Sequence, residues 1–183
     1  MTSYCALLRG IGPGNPNMRN DRLREVFEHL GFADVASVLS SGNILFSTED
    51  GTAAPELEDR IQSALHHELG IGGGTILRSR AELETLVARE PFGGLGHSKQ
   101  TYLTVTFLKE PLDPAPAPFP VPDTDQVRIQ GYDAATRAVL AVVDTTGIKT
   151  PDYMSWLERT FSNGITTRTW NTVTKILKKL PAG

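Results

Sequence analysis

Arg9 closes an apolar run and is followed by seven residues of restricted or unusual backbone: Gly10, Gly12, Pro13, Gly14, Asn15, Pro16 and Asn17. Glycine lets backbone N–H groups come close to an oxyanion, a following helix start adds partial positive charge, and a guanidinium is a forked donor. Such a loop is suited to holding a phosphate or a carboxylate. It is neither a P-loop nor a dinucleotide fingerprint, because no Gly-Lys-Ser/Thr is present and no G-x-G-x-x-G opens a helix. A second group, Arg168, Trp170, Asn171 and Thr172, precedes a later helix, and Lys149 is a further basic candidate. Ser41 and Asn43, with Ser40, flank Gly42 and either line the same pocket or simply make a turn. Convergence of Arg9, Lys149 and Arg168 would form one combined anion site between two halves of the chain.

Each group also has a plainer reading. The first loop can be an ordinary connection with a solvated arginine. Trp170 shares a helical face with Val173 and Leu177, which suits a core anchor, and Asn171 or Thr169 suits a helix cap. His29, His66, His67 and His97 have no ligand spacing with the lone Cys5, so no metal site is expected. Cys5 reads as a buried structural thiol. No motif names a cofactor, no Ser/His/Asp order or carboxylate pair stands out, and catalytic residues stay unassigned. Any catalysis would be electrostatic positioning by arginine and lysine.

The elements that must position these groups follow from periodicity. Tyr4 to Arg9 is apolar on both faces until its last residue and reads as a buried strand. Leu23, Val26, Phe27 and Leu30 give a helical stripe, with Gly31 just past its end. Val35 to Leu39 and Ile44 to Ser47 form a hairpin about Ser40-Ser41-Gly42-Asn43. Leu57, Ile61, Ala64, Leu65 and Leu69 mark a second helix, with Glu56, Glu58 and Asp59 suited to its positive end. Gly70 to Gly74 stops that helix, and Thr75 to Leu77 is a short strand. The order is β-α-β-β-α-β, the ferredoxin-like order. Ser79 and Glu82 form a capping box for a short helix through Leu83, Leu86 and Val87.

Thr101 to Leu108 alternates cleanly as a strand. Pro111, Pro114, Pro116, Pro118, Pro120 and Pro122 then forbid a helix and give an extended connector over 111–122. Val127 and Ile129 open a strand that pairs with Ala138 to Val143. A helix starts at Pro151 with Thr150 as its cap and buries Met154, Leu157 and Phe161. Ile165 to Thr169 is a strand, and Val173, Ile176, Leu177 and Leu180 face inward from the last helix. The expected class is α+β, with two ferredoxin-like halves, 1–79 and 80–183, packed together as an internal duplication of architecture.

The 183 residues are 39% hydrophobic with a net charge of −3, so a packed core is expected and no basic excess advertises nucleic acid. One cysteine excludes an internal disulfide and suggests a reducing compartment. No leading basic-then-apolar segment and no apolar run near the ~20 residues of a membrane span is present. A soluble cytoplasmic protein without a membrane partner is expected.

Three segments, YCALLRGIGPGN, SSGNILF and TTRTWNTVTKIL, resemble a bacterial family catalogued as domain of unknown function 1697. Their order and spacing match it too. The resemblance implies a ferredoxin-like α+β structure and no activity. The chain departs from the family where Asn-Val-Gly-Gly becomes Gly12-Pro13-Gly14-Asn15, where a loop lysine becomes Asn17 with Arg19 two residues on, and where Asn-Pro-Phe becomes Glu90-Pro91-Phe92. The resulting reading is a protein of uncharacterised function that binds, or does simple chemistry on, an anionic small molecule, phosphorylated ones included. The alternative is a nucleic-acid-binding module that presents Tyr102 with Lys175, Lys178 and Lys179 nearby. A third is a structural protein that pairs with a second copy through its sheet edges.

Overall fold

A computed structural model describes residues 1–12, 14–40, 42–147, 152–162 and 164–182. Among these residues the chain forms eight strands and five α-helices, an α+β arrangement with two four-stranded antiparallel sheets. The chain divides into two compact units, residues 1–84 with 175–183 and residues 85–174.

The first unit contains β1 (Thr2–Leu8), α1 (Asn20–His29), β2 (Ala33–Ser37), β3 (Asn43–Thr48), α2 (Ala54–Leu69) and β4 (Thr75–Ser79). Its strand order is β2-β3-β1-β4. Ala6, Leu8, Ile44, Phe46 and Leu77 form one face and pack with Leu23, Val26 and Phe27 of α1 and Leu57, Ile61 and Leu65 of α2. The helical stripes and the strand period read from the sequence therefore meet in one core. Cys5, Leu7, Leu45 and Ile76 on the opposite face are buried as well. The edge strand β4 is covered: Glu58 of α2 is buried and accepts the Leu77 N–H at 2.8 Å. Glu58 is thus a sheet-edge acceptor rather than a solvated partner of the helix dipole.

The boundaries between the units fall inside α3 (Arg80–Ala88) and α5 (Trp170–Lys179). The Ser79 N–H donates to Glu82 Oε2 at 2.7 Å and the Glu82 N–H to Ser79 Oγ at 3.2 Å, so the capping box forms. In the first unit, Arg80 donates to the Leu177 and Leu180 carbonyls and caps the end of α5, and Lys179 Nζ donates to the Ser37 carbonyl of β2 at 2.8 Å.

The second unit contains β5 (Thr101–Leu108), β6 (Val127–Asp133), β7 (Ala138–Asp144), α4 (Tyr153–Phe161) and β8 (Ile165–Thr169), in strand order β6-β7-β5-β8. Where the first unit has α1 between β1 and the next hairpin, no helix or strand forms between Leu108 and Val127. The proline segment lies there, and Leu112 and Phe119 pack against the sheet core. Phe119 stacks with Tyr132 at 6.1 Å and with Phe161 at 5.8 Å. In α4 the buried residues are Tyr153 and Leu157, while Met154 is 51% exposed. Leu157 and Phe161 face the core as expected, but the first-turn position of the stripe is taken by Tyr153 rather than Met154. Residues 148–151, on which the cap at Thr150 and the start at Pro151 were placed, lie outside the described residues. No helix among the described residues is long and apolar enough to cross a membrane.

Candidate functional site

The end of β1 is held between two loops. The Leu8 N–H donates to the Gly42 carbonyl at 2.8 Å, and the Arg9 N–H donates to the Gly74 carbonyl at 2.9 Å. A Cβ on Gly42 would stand 2.6 Å from Ile11 Cγ1, and Gly42 has φ +78°. A Cβ on Gly73 would stand 2.0 Å from the Arg9 carbonyl oxygen, and one on Gly10 (φ +75°) would stand 3.4 Å from Gly73 Cα. Glycine is required at residue 73 by close packing on the Arg9 main chain, at residue 42 by the Ile11 side chain and its left-handed φ, and at residue 10 by its left-handed φ. Gln62 of α2 holds the second loop, donating to the Ile71 carbonyl at 2.9 Å and accepting from the Thr75 hydroxyl at 2.9 Å.

Beyond Arg9 the loop satisfies much of its own backbone. The Gly12 N–H points to Met18 Sδ at 3.0 Å, the Asn15 N–H to the Gly12 carbonyl at 3.0 Å, and Asn15 Oδ1 accepts the Asn17 N–H at 3.0 Å. Pro16–Met18 form a 3-10 turn. Of the predicted cradle, Gly10 and Gly12 face their own chain, Asn15 caps a turn, and Gly14 has open space at its Cα. Arg9 is half-buried and already engaged by the fold.

The free helix end is one step further on. Arg19 stands at the N-cap of α1 in an extended conformation, and its side chain does not cap the helix. The first intrahelical bond runs from the Leu23 N–H to the Arg19 carbonyl, so the amides of Asn20, Asp21 and Arg22 precede the helical ladder. A hollow of about 330 Å³ lies here, lined by Met18, Arg19, Asn20, Asp21 and Ser40. Asn20 Nδ2 donates to the Leu39 carbonyl at 2.7 Å and ties the hairpin turn to the helix start. Arg19 and Asp21 are 3.5 Å apart and both largely solvated. A larger hollow of about 450 Å³ lies at the opposite end of β1, beside Thr2, Ser3, Ser79 and Arg80. There Arg80 is committed to Glu84 and to the α5 carbonyls.

Asn43 is fully buried and closes the hairpin, donating to the Val38 carbonyl at 3.0 Å. It belongs to the turn rather than to a pocket wall. Ser41 lies outside the described residues, as does Lys149. In the second unit, Arg168 folds along its own strand and donates to Thr166 Oγ1 at 2.7 Å and to the Thr167 carbonyl at 2.9 Å. Thr169 caps α5 by accepting the Thr172 N–H at 3.3 Å, and the Thr169 and Thr172 hydroxyls are 3.0 Å apart. Asn171 is therefore a helix residue, not the cap. Trp170 is half-buried and meets the Phe92 ring edge-on at 5.3 Å, as a packing anchor would. Tyr102 is 41% exposed and stacked on His97 at 5.0 Å.

The sequence reading noted Arg19 and Ser40 in passing and missed Asn20. Its partner, Leu39, is nineteen residues away, and no local pattern announces such a bond.

A family model described as protein of unknown function (DUF1697) matches residues 1–131. The match ends inside β6, so the segment 166–177, part of the sequence resemblance, lies beyond it. No curated protein matches the chain. Among solved structures, that of the conserved bacterial protein SP0830 from Streptococcus pneumoniae is similar, with a TM-score of 0.74 at 24% identity over 97% of each chain. At that identity the likeness concerns the fold. With nearly three quarters of its length inside the family match, the chain belongs to the DUF1697 family of proteins of unknown function.

Proposed function

We propose that the first unit binds a small anion, a phosphate or carboxylate group, at the start of α1. The observation that carries this reading is the N-terminus of α1, which the side chain of its N-cap residue Arg19 does not cap, opening on a hollow that also holds Arg19 and Ser40. The predicted glycine cradle contributes the shape of the loop. Arg19, Asn20 and Ser40 supply the polar contacts. Asp21 shares the hollow and offsets part of the positive potential, so the affinity is modest and depends on salt. Titration of inorganic phosphate and pyrophosphate by calorimetry at low ionic strength tests the site. Arg19→Ala weakens binding and Asp21→Asn strengthens it, each by up to about fivefold, the range of one partly screened charge pair. Binding that ignores both substitutions, or no binding at low salt, rejects the proposal.

We also infer that the two halves, 1–79 and 80–183, are ferredoxin-like copies of one architecture. The strand orders correspond, β2-β3-β1-β4 with β6-β7-β5-β8. The local bonding corresponds too. The amides of Leu8 and Arg9 bond the carbonyls of Gly42 and Gly74, and those of Leu108 and Lys109 bond the carbonyls of Arg137 and Gly164. Expression of each half alone, with residues 175–183 supplied to the first, and comparison of their amide spectra with those of the whole chain, tests the inference.

A further inference from the structure

The α4 side of the second sheet carries a row of hydroxyls. Thr104 is opposite Thr169 and Thr106 opposite Thr167 in the β5–β8 register, so all four share one face. Thr106 is fully buried and its hydroxyl lies 2.8 Å from that of Thr167. Thr104 Oγ1 donates to the Ala141 carbonyl at 3.2 Å. Thr167 and Thr169 are half-buried on the edge strand. Tyr153 descends onto this row from the first turn of α4.

Tyr153 is 4% exposed, and its hydroxyl forms no well-directed hydrogen bond among the described residues. Burial pushes the phenol up to about 12, and the nearby Thr104 and Thr106 hydroxyls hold it back only in part. Those two hydroxyls are close enough to act on the phenol, and each also serves a second neighbour, Thr104 the Ala141 carbonyl and Thr106 the Thr167 hydroxyl. A buried phenol left in this state costs free energy that a partner would recover.

The fold does not demand the arrangement. In the β1–β4 register of the first unit, Tyr4 is opposite Ser79 and Ala6 opposite Leu77. The helical stripe that corresponds to Tyr153 and Leu157 begins there with Leu57 and Ile61. The same architecture is therefore built once with Ala6, Leu77 and Leu57, and once with Thr106, Thr167 and Tyr153.

We propose that Tyr153, Thr104, Thr106 and Thr167 form a site for one neutral hydroxyl oxygen, supplied by a resident water or by a hydroxyl group of a small polyol. Hydroxyls both donate and accept, so the group they recognise has the same double capacity and no charge. The site lies in the second unit and is independent of the anion site at α1.

Two measurements separate the sources. Crystals of the full chain grown and frozen without polyol are expected to show an ordered water within hydrogen-bond distance of Tyr153 Oη if the occupant is resident. Titration with glycerol, followed by amide chemical shifts, is expected to give saturable shifts at Thr104, Thr106 and Thr167 if the occupant is a ligand hydroxyl, and to lose them in Tyr153→Phe. Should Tyr153→Phe fold poorly, Thr106→Val serves the same purpose. An Oη bonded directly to a threonine hydroxyl with no bound oxygen overturns the proposal. So do glycerol shifts that survive both substitutions with no water at Oη, and so does an empty site in the crystal with no saturable response to glycerol.

Discussion

A Cβ on residue 73 would lie 2.0 Å from the carbonyl oxygen of Arg9, so Gly73 and Arg9 define each other's backbone position. Gly73→Ala is expected to destabilise the protein by about 2–4 kcal/mol, because the clash is with main chain and two loops must part. Gly14→Ala, with open space at its Cα and no left-handed φ, is expected to change stability by less than about 1 kcal/mol, with a gain as plausible in sign as a loss. Urea denaturation of the two variants makes the comparison. Equal costs would mean that the loops are not packed as described.

Leu39 occupies the hairpin turn with φ +59° and is 49% exposed. A left-handed conformation costs a branched side chain about 1 kcal/mol, and little apolar contact opposes its removal. Leu39→Gly is expected to raise stability by up to about 1 kcal/mol in chemical denaturation, provided the Asn20 bond to the residue 39 carbonyl persists.

Asp133 gives the stability a pH dependence of known sign. Burial pushes its carboxyl up, but the Thr136 N–H at 3.0 Å, the Arg89 guanidinium and the Thr136 hydroxyl at 3.1 Å outweigh burial and hold it below the usual value of 3.8. A lowered folded-state value means that the contribution is complete above the unfolded value. It is lost as pH falls through the lower, folded one. Asp133→Asn should therefore melt earlier than the parent at neutral pH, and the gap should close as pH falls below the usual 3.8 and through the lowered folded-state value. A gap that stays constant with pH would remove the charge from this account.

Glu58 is 1% exposed and accepts the Leu77 amide of an edge strand. Glu58→Ala leaves that amide buried without its acceptor and is expected to cost about 1–3 kcal/mol. An uncovered edge also invites pairing between chains, so light scattering on warming should rise sooner in the variant.

The orientation of α4 can be tested by substitutions at a buried and an exposed position one turn apart. Leu157→Ala is expected to cost about 2–5 kcal/mol, while Met154→Lys should be nearly silent in thermal melts.

The limits of sequence legibility follow from the range of each signal. Thr101–Leu108 and Ile165–Thr169 were readable with their bounds, because period-two alternation is a property of consecutive residues. The Ser79–Glu82 box was readable for the same reason. Leu39 was expected in a strand, since its apolar side chain continues the alternation of Val35 and Ser37, yet it turns the chain. Side-chain polarity does not encode the sign of φ. Met154 was expected inside and Tyr153 was not singled out, because a short helix with apolar residues on adjacent rows does not declare which row is buried. The candidate site shifted from the glycines to the helix start for a similar reason. Composition marks which amides are able to approach an anion, but not which are already bonded, and the sulfur of Met18 had taken the Gly12 amide.

The proline segment has one further consequence. Residues that lack an amide hydrogen place no demand on neighbouring acceptors, so such a stretch can roof a sheet without belonging to any ladder. Its hold on the layer below runs through Leu112, whose amide donates to the Tyr132 hydroxyl at 3.0 Å, and through the ring of Phe119, wedged between Tyr132 and Phe161. The roof can therefore change in length or wording away from those two pegs while the sheet stays covered, and both pegs rest on Tyr132.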